Sequence, residues 1–584
     1  MGLHNTNSKS FIRGRASKTG LLAFLLLTTS STALLAEDAD VKKEIAELKA
    51  MVHAQNAQIS SLKAAVGEQR IETRHNKEKI KVVAEKAYAP PLLPAGYTTG
   101  GFNPIGGFDD KKLHFGGITI TPGGYFAAES VFRTRATQAG IISNFSAIPF
   151  PQTPLTHTSE FKPTAQQSRF AMLVEGNITP SILGAGYLET DFLGDGTTSN
   201  NNQTYSYVPR VRNLYVTLDF NDFGFHVLAG QSWSLTTLNS KGITPRNEAL
   251  EPTIDNQPMP GFVYNRQPQI RVVKDFDKKL WMALSLESPQ TTFANGCNAT
   301  VNNTGAAITA TTPVAGVNVT CEAQGSGGGY AQTGETQQFT LNHIPDVIAK
   351  VAYEAKIADR DVHFEGQGFY RDFYDRANYG TLLGTNGIGG YSNGSANKDT
   401  TGYGVGGGLV AAVIPKRLDF QVNGLVGRGI GRYTGAPIAD ATIANDGSVR
   451  PLGGRSVNGG FVLHATPQFD VYAFAGVDTI DAGYSSNGAG GYTGYGAPNA
   501  NDTGCYVEGS AAAACAGNTH RIWQLTGGLW DKIYEGKFGY FRAGVQYSYT
   551  QRELFTTSNG PGGVSGTPKT SDNTFLTSLR YYPF

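Results

Sequence analysis

Five arginines and two acids stand out as able to act on a charged molecule: Arg169, Arg210, Arg212, Arg266 and Arg271, with Glu189 and Asp191. A guanidinium offers five donors in a fixed fork, never deprotonates in a protein, and suits carboxylate or phosphate groups. Arg210 and Arg212 are two residues apart, so a strand puts both on one face. Further charges fall on strand-like segments: Arg371 and Arg542, and Glu175, Glu287, Glu354 and Glu365. The chemistry this implies is electrostatic selection of a passing solute. The alternative is that the arginines pair with the acids and give structure with little selectivity. A second charged set, Arg246, Glu248, Glu251 and Asp255, lies in the proline-rich segment Leu235–Gly261. No catalytic constellation is read: His226 and His363 have no nucleophile pattern nearby, and Gly327–Gly329 and Gly404–Gly408 open no helix that would cradle a phosphate. No metal and no cofactor is expected.

The elements that must hold these residues are strands. From Leu113 to the end the apolar residues recur with period two. Leu418, Phe420 and Val422 alternate with Asp419, Gln421 and Asn423. Val362, Phe364 and Tyr370 alternate with His363, Glu365, Gln367 and Arg371, and Phe538–Tyr549 repeats the pattern. Segments of about ten residues, apolar on one face and polar on the other, are the signature of a transmembrane β-barrel. Short turns are expected at Thr179-Pro180, Asn221-Asp222, Asp275–Lys278, Ala358–Arg360, Pro415-Lys416, Thr466-Pro467 and Asp531–Gly536. Long Gly/Asn/Ser/Thr-rich loops alternate with them, near 134–166, 194–204, 235–261, 289–345, 375–400, 432–456, 481–518 and 551–571. Seven short turns and eight long loops predict an all-β, antiparallel barrel of about 16 strands, a size that leaves an aqueous channel. The third long loop, Leu235–Gly261, is expected to fold inward and narrow that channel; a place on the surface is the alternative.

Composition agrees: 73 glycines, 27 tyrosines and 31 phenylalanines suit turns and aromatic anchors, and charged residues are only 16%. Bases and acids nearly balance, at 48 against 47, which argues against a nucleic-acid partner. Residues 1–36 read as an export signal, with bases ending at Lys18, an apolar run Leu21–Leu27, and cleavage after Ala33 or Ala36. Residues 37–88 carry heptads. One seam holds Ile45, Val52, Ile59, Val66, Thr73 and Ile80; the other holds Val41, Leu48, Gln55, Leu62, Gln69, Asn76 and Val83. This predicts an N-terminal α-helical coiled coil. A Pro/Gly linker, 89–112, stops the helix before a barrel over 113–584. The cysteines form two close pairs, Cys297 with Cys321 and Cys505 with Cys515, each in a long loop. In an oxidising compartment they should be disulfides stapling external loops. The chain ends in Tyr582 and Phe584. This terminal aromatic pattern resembles the signal read by the barrel-assembly machinery.

Five segments, in order, carry a family resemblance: Gln167-Ser168-Arg169-Phe170, Gly186–Phe192, Arg210–Tyr215, Ala229–Ser234 and Arg266–Arg271. Together with the coiled coil they resemble the DcaP-like trimeric porins, over roughly a third of the chain. The resemblance implies a homotrimer in the outer membrane, among lipid and lipopolysaccharide, with the coiled coil in the periplasm. It also implies passive diffusion of small, often anionic, solutes. The competing reading is a structural or adhesive barrel that tethers the envelope through its coiled coil.

Overall fold

The computed structural model describes residues 112–584 apart from 201, 256–258, 294–316, 322–339, 341, 382–393, 437, 445–447 and 487–490, together with Gly107–Asp109 and six residues between 49 and 61. The chain divides into two units, Met1–Tyr97 and Thr98–Phe584. In the first, Lys49, Ala50, His53, Ala57, Ser60 and Ser61 are helical and exposed. The export signal and the heptad seams lie outside the described residues.

In the second unit, alternating residues build sixteen long antiparallel strands: β1 Ile118–Arg133, β2 Arg169–Thr179, β3 Ile182–Asp191, β4 Arg210–Phe220, β5 Phe225–Trp233, β6 Arg266–Phe276, β7 Leu280–Glu287, β8 Asp346–Ile357, β9 Arg360–Thr381, β10 Gly394–Ile414, β11 Leu418–Arg428, β12 Gly453–His464, β13 Phe469–Ile480, β14 Thr519–Gly536, β15 Gly539–Leu554 and β16 Lys569–Tyr582. Each pairs with the next, and β16 pairs back onto β1, with Phe575 opposite Phe132 and Leu579 opposite Ala128. The sheet is therefore closed and has no edge. Short and long connections alternate as expected. One two-residue turn is Ala358-Asp359, where both residues take positive φ (50° and 60°), the geometry that matches strand twist in such a hairpin.

The dyad sorts the faces. On β4, Leu214, Val216 and Leu218 are exposed while Tyr215 and Thr217 are buried. On β7, Met282, Leu284 and Leu286 point out, and Ala283, Ser285 and Glu287 point in. Outward residues are apolar and inward ones are mostly polar, the arrangement of a transmembrane β-barrel. Long loops then fold back inside. Phe145 of the first, Leu235, Ile243 and Val263 of the third, Ile430, Tyr433 and Ile438 of the sixth and Tyr495 of the seventh join inward strand residues in one apolar cluster.

Two expected boundaries shift. The turn placed at Asp531–Gly536 is strand: the register slips between Asp531 and Tyr534, so β14 absorbs a bulge and turns at Lys537-Phe538. The loop placed at 375–400 is also shorter, because β9 and β10 stay paired up to Tyr379 opposite Gly394 and Val317–Cys321 adds a further strand on β9.

Candidate functional site

Arg169 on β2, Glu189 and Asp191 on β3, Arg210 and Arg212 on β4 and Arg266 on β6 meet on one inner wall. Leu214, Val216 and Leu218 share the parity of Arg210 and Arg212 yet face outward, so both arginines can point inward only if the strand gains a residue. It does: Glu189 pairs with Asn213 while Thr190 pairs with Val211, and Arg212 is the extra residue. Arg210 grips Asp191 through two bonds, Nε to Oδ1 at 2.9 Å and Nη2 to Oδ2 at 2.7 Å. Arg212, 2% exposed, donates to Glu189 Oε1 at 2.5 Å, Asp191 Oδ2 at 2.9 Å and the Tyr264 hydroxyl at 3.3 Å. Arg169 lies 3.8 Å from Glu189 and over the Tyr125 ring. Arg266 is stacked against Trp233 and Tyr264, 4.7 Å from each ring centre.

Arg210 and Arg212 are therefore paired with acids, the alternative raised by the sequence, but the cluster as a whole is not neutral. Four guanidiniums (Arg169, Arg210, Arg212, Arg266) share two carboxylates (Glu189, Asp191). Arg266 Nη1 is buried with no hydrogen-bond partner among the described residues. Tyr264 reports the resulting field. Burial alone would raise its hydroxyl, but the charges of Arg212, then Arg266 and Arg210, pull it down to about 7. Arg271 stands apart from this group, donating to Gln269 Oε1 at 3.0 Å and to the Trp233 carbonyl at 2.5 Å.

The third loop lies inside the barrel and crosses it. Its first limb is held by β8 and β9. Lys350 Nζ donates to the Thr237 carbonyl (2.7 Å) and to Glu365 (2.6 Å), Glu365 accepts from the Asn239 amide (3.0 Å), and Glu354 accepts from the Gly242 amide (2.5 Å). His363 bridges the two glutamates, at 2.7 Å from Glu354 and 3.1 Å from Glu365. The far limb reaches the opposite wall. The Ile254 amide donates to Gln546 on β15 (2.6 Å), its carbonyl accepts from Arg580 on β16 (3.1 Å), and Trp530 on β14 donates to the Pro252 carbonyl (2.7 Å). Of the loop's charges, Arg246 meets the Tyr215 hydroxyl at 3.1 Å and lies over Tyr187. Asp255 accepts from the Ser143 amide of the first loop at 3.2 Å. Glu251 is 8% exposed and accepts from the Met259 amide at 3.3 Å. Glu248 is raised above the usual carboxylate range by burial.

No protein-family profile matches the chain, and no curated protein matches it. Among solved structures, the outer membrane channel DcaP of Acinetobacter baumannii aligns over 82% of this chain and all of its own, at 16% identity and a TM-score of 0.50. The fold is that of the DcaP channel. OmpT, an outer membrane protein of Vibrio cholerae, aligns over 81% of the chain at 11% identity and TM-score 0.40, covering 99% of its own length. An anion-selective porin from Comamonas acidovorans aligns over 80% at 10% identity and TM-score 0.38, covering 99% of its own length.

Within this DcaP fold, several inward charges escaped the sequence reading. Glu129 of β1 accepts from Arg580 Nε at 2.9 Å, Ser578 at 2.7 Å and Gln167. Lys350 is almost fully buried and was never singled out. Strand parity would have placed both inward, but only the closed sheet shows Glu129 meeting Arg580 and Ser578 across the seam and Lys350 meeting the third loop. Cys505 and Cys515 form a disulfide; Cys297, the expected partner of Cys321, lies outside the described residues. Tyr582 stacks on Tyr540 at 4.4 Å, and Phe584 is 45% exposed.

Proposed function

We propose that this protein is an outer-membrane porin, a passive channel for small hydrophilic solutes with a preference for anions, above all those bearing carboxylates. It performs no bond chemistry in this reading. The observation that carries it is the arginine wall inside a closed barrel: four guanidiniums against two carboxylates, beside an inward-folded third loop. In a narrow site walled by low-dielectric protein such an excess is focused, whereas more distant charges are screened beyond about 8–10 Å. Arg266, whose Nη1 meets no acid among the described residues, leaves its charge to that field. By the same reading the protein acts as a homotrimer among lipid and lipopolysaccharide. Its coiled coil lies in the periplasm, and Tyr582 and Phe584 serve recognition by the barrel-assembly machinery.

Single-channel recording under a salt gradient tests the proposal. The expected reversal potential has the sign of anion preference, and Arg266→Ala moves it toward zero. Arg210→Ala with Arg212→Ala also reduces it, but by less, since those charges are already shared with Asp191 and Glu189. An unchanged potential in all of these variants removes the arginines from the conduction path. One observation favours a second reading: the apolar packing of the first, third, sixth and seventh loops within the barrel suits a structural barrel that tethers the envelope. Absence of any unitary conductance would favour that reading.

A further inference from the structure

We propose that His343, Asp372 and Asp399 form a site for a divalent transition-metal ion, on the outer face of the barrel at its long-loop end. The site does not depend on the channel reading. Asp372 lies on β9 and Asp399 on β10, and the register sets Asp372 opposite Thr401 and Asp399 opposite Tyr374. The two carboxylates are thus diagonal neighbours on one face, the face that presents the exposed Tyr370 and Tyr403. That face is outward, because the intervening Arg371 and Phe373 turn inward to Asp440 and to Ala441 and Val449. Asp372 is twelve residues beyond the Ala358–Arg360 turn. This is about 40 Å along the strand and ~30 Å along a tilted barrel, at or above the rim of an apolar band about 25 Å tall.

His343 arrives from the segment before β8 and lies against both acids. Its Nδ1 is 3.4 Å from Asp372 Oδ2, and its Nε2 is 3.8 Å from Asp399 Oδ1. The Tyr374 ring meets the imidazole edge-on at 4.3 Å and fixes its position. One ligand atom from each residue can be chosen with all three within 4.8 Å of one another. A zinc-type ion bound at about 2.0–2.1 Å sets its tetrahedral ligands about 3.3–3.5 Å apart, so the imidazole or Asp399 must turn to bring one ring nitrogen and both carboxylates onto a single ion. A second observation points to a ligand. Asp372 is 6% exposed, and its Oδ2, the atom facing His343, is buried with no hydrogen-bond partner among the described residues. A buried carboxylate oxygen whose nearest polar neighbour is an imidazole nitrogen at 3.4 Å is under-satisfied, and a cation between the two would complete it. One imidazole nitrogen and two carboxylate oxygens suit Zn(II), Cu(II) or Ni(II), with water completing the shell, better than calcium, which takes oxygen ligands.

The test is a titration of the purified full chain in detergent, with zinc by calorimetry and with cobalt by visible absorption. One equivalent per chain and a cobalt d–d band are expected. His343→Gln and Asp399→Asn each weaken zinc binding by at least about tenfold and abolish the band. Both side chains are exposed, so the variants keep the heat-modifiable mobility of the folded barrel on gels. His464→Gln, which alters a different histidine–carboxylate group, retains full binding. No saturable binding up to about 1 mM zinc, or binding undiminished in both variants, overturns the proposal.

Discussion

Glu251 is a carboxyl taken almost wholly out of water, in the loop that crosses the barrel. Burial pushes it up to about 7; the Met259 amide and the Asn458 side chain only partly offset that cost. The folded-state value lies above the ordinary 4.5. Docking of the loop against β12 is therefore most stable below about pH 4.5, and it loses stability as pH rises toward about 7, by on the order of 3 kcal/mol. We expect hydrogen-exchange protection of the Ile254 and Met259 amides to fall over that range in the native chain and to stay flat in Glu251→Gln. Gly242 makes a second residue-scale prediction. It sits at φ +60°, and a Cβ there would come within 2.9 Å of the Trp281 ring. Gly242→Ala should loosen the first limb of the loop by about 1–3 kcal/mol, read as faster exchange at Asn239, with the barrel intact. The arginines on β2, β4 and β6 could be picked from sequence because strand parity and residue type suffice for that. What each one touches could not. The parity conflict with Leu214, Val216 and Leu218 does require a bulge near Asn213, and it falls at Arg212, but the bare Nη1 of Arg266 depends on where Tyr264 lands.

At the scale of elements, the strands follow directly from the two-residue period, because a lipid-facing side chain and a lumen-facing one demand opposite chemistry. Misplaced boundaries fall where that demand lapses. At Asp531–Tyr534 a bulge breaks the parity, and beyond Asp375 the β9–β10 pair runs on in polar sequence that reads as loop. The inward packing of the first and sixth loops had no local signal; it follows from the space enclosed by the closed sheet. The Cys505–Cys515 bond closes a ten-residue separation within the seventh loop, remote from strand pairing. Replacing both cysteines by serine should cost that loop about 2–3 kcal/mol of local stability. Peptides spanning 502–518 should then exchange faster in mass-spectrometric hydrogen exchange, while insertion and heat-modifiable mobility remain those of the native chain.

The second unit is a closed barrel whose outer wall carries Leu214, Val216, Ile270, Leu284, Val405, Val457 and Val545 exposed on strands from β4 to β15. Such a wall needs an apolar surround, and in mild detergent we expect native mass spectrometry to show three chains together. Removing residues 37–88 should weaken that assembly only in part, since barrel walls also pack on one another; monomers alone from the full chain would count against a trimer. The seam between β16 and β1 carries a further consequence, one of timing. Ser130 and Thr577, whose hydroxyls lie 2.7 Å apart across it, are separated by 447 residues. The strand made first must wait for the strand made last, and until then both rims of the curled sheet offer unpaired amides and carbonyls to any neighbouring chain. Bringing such distant partners together is slow, because the entropy of so long a loop is lost before any seam bond forms. We therefore expect closure to limit maturation, with the open rims exposed until the final strand docks.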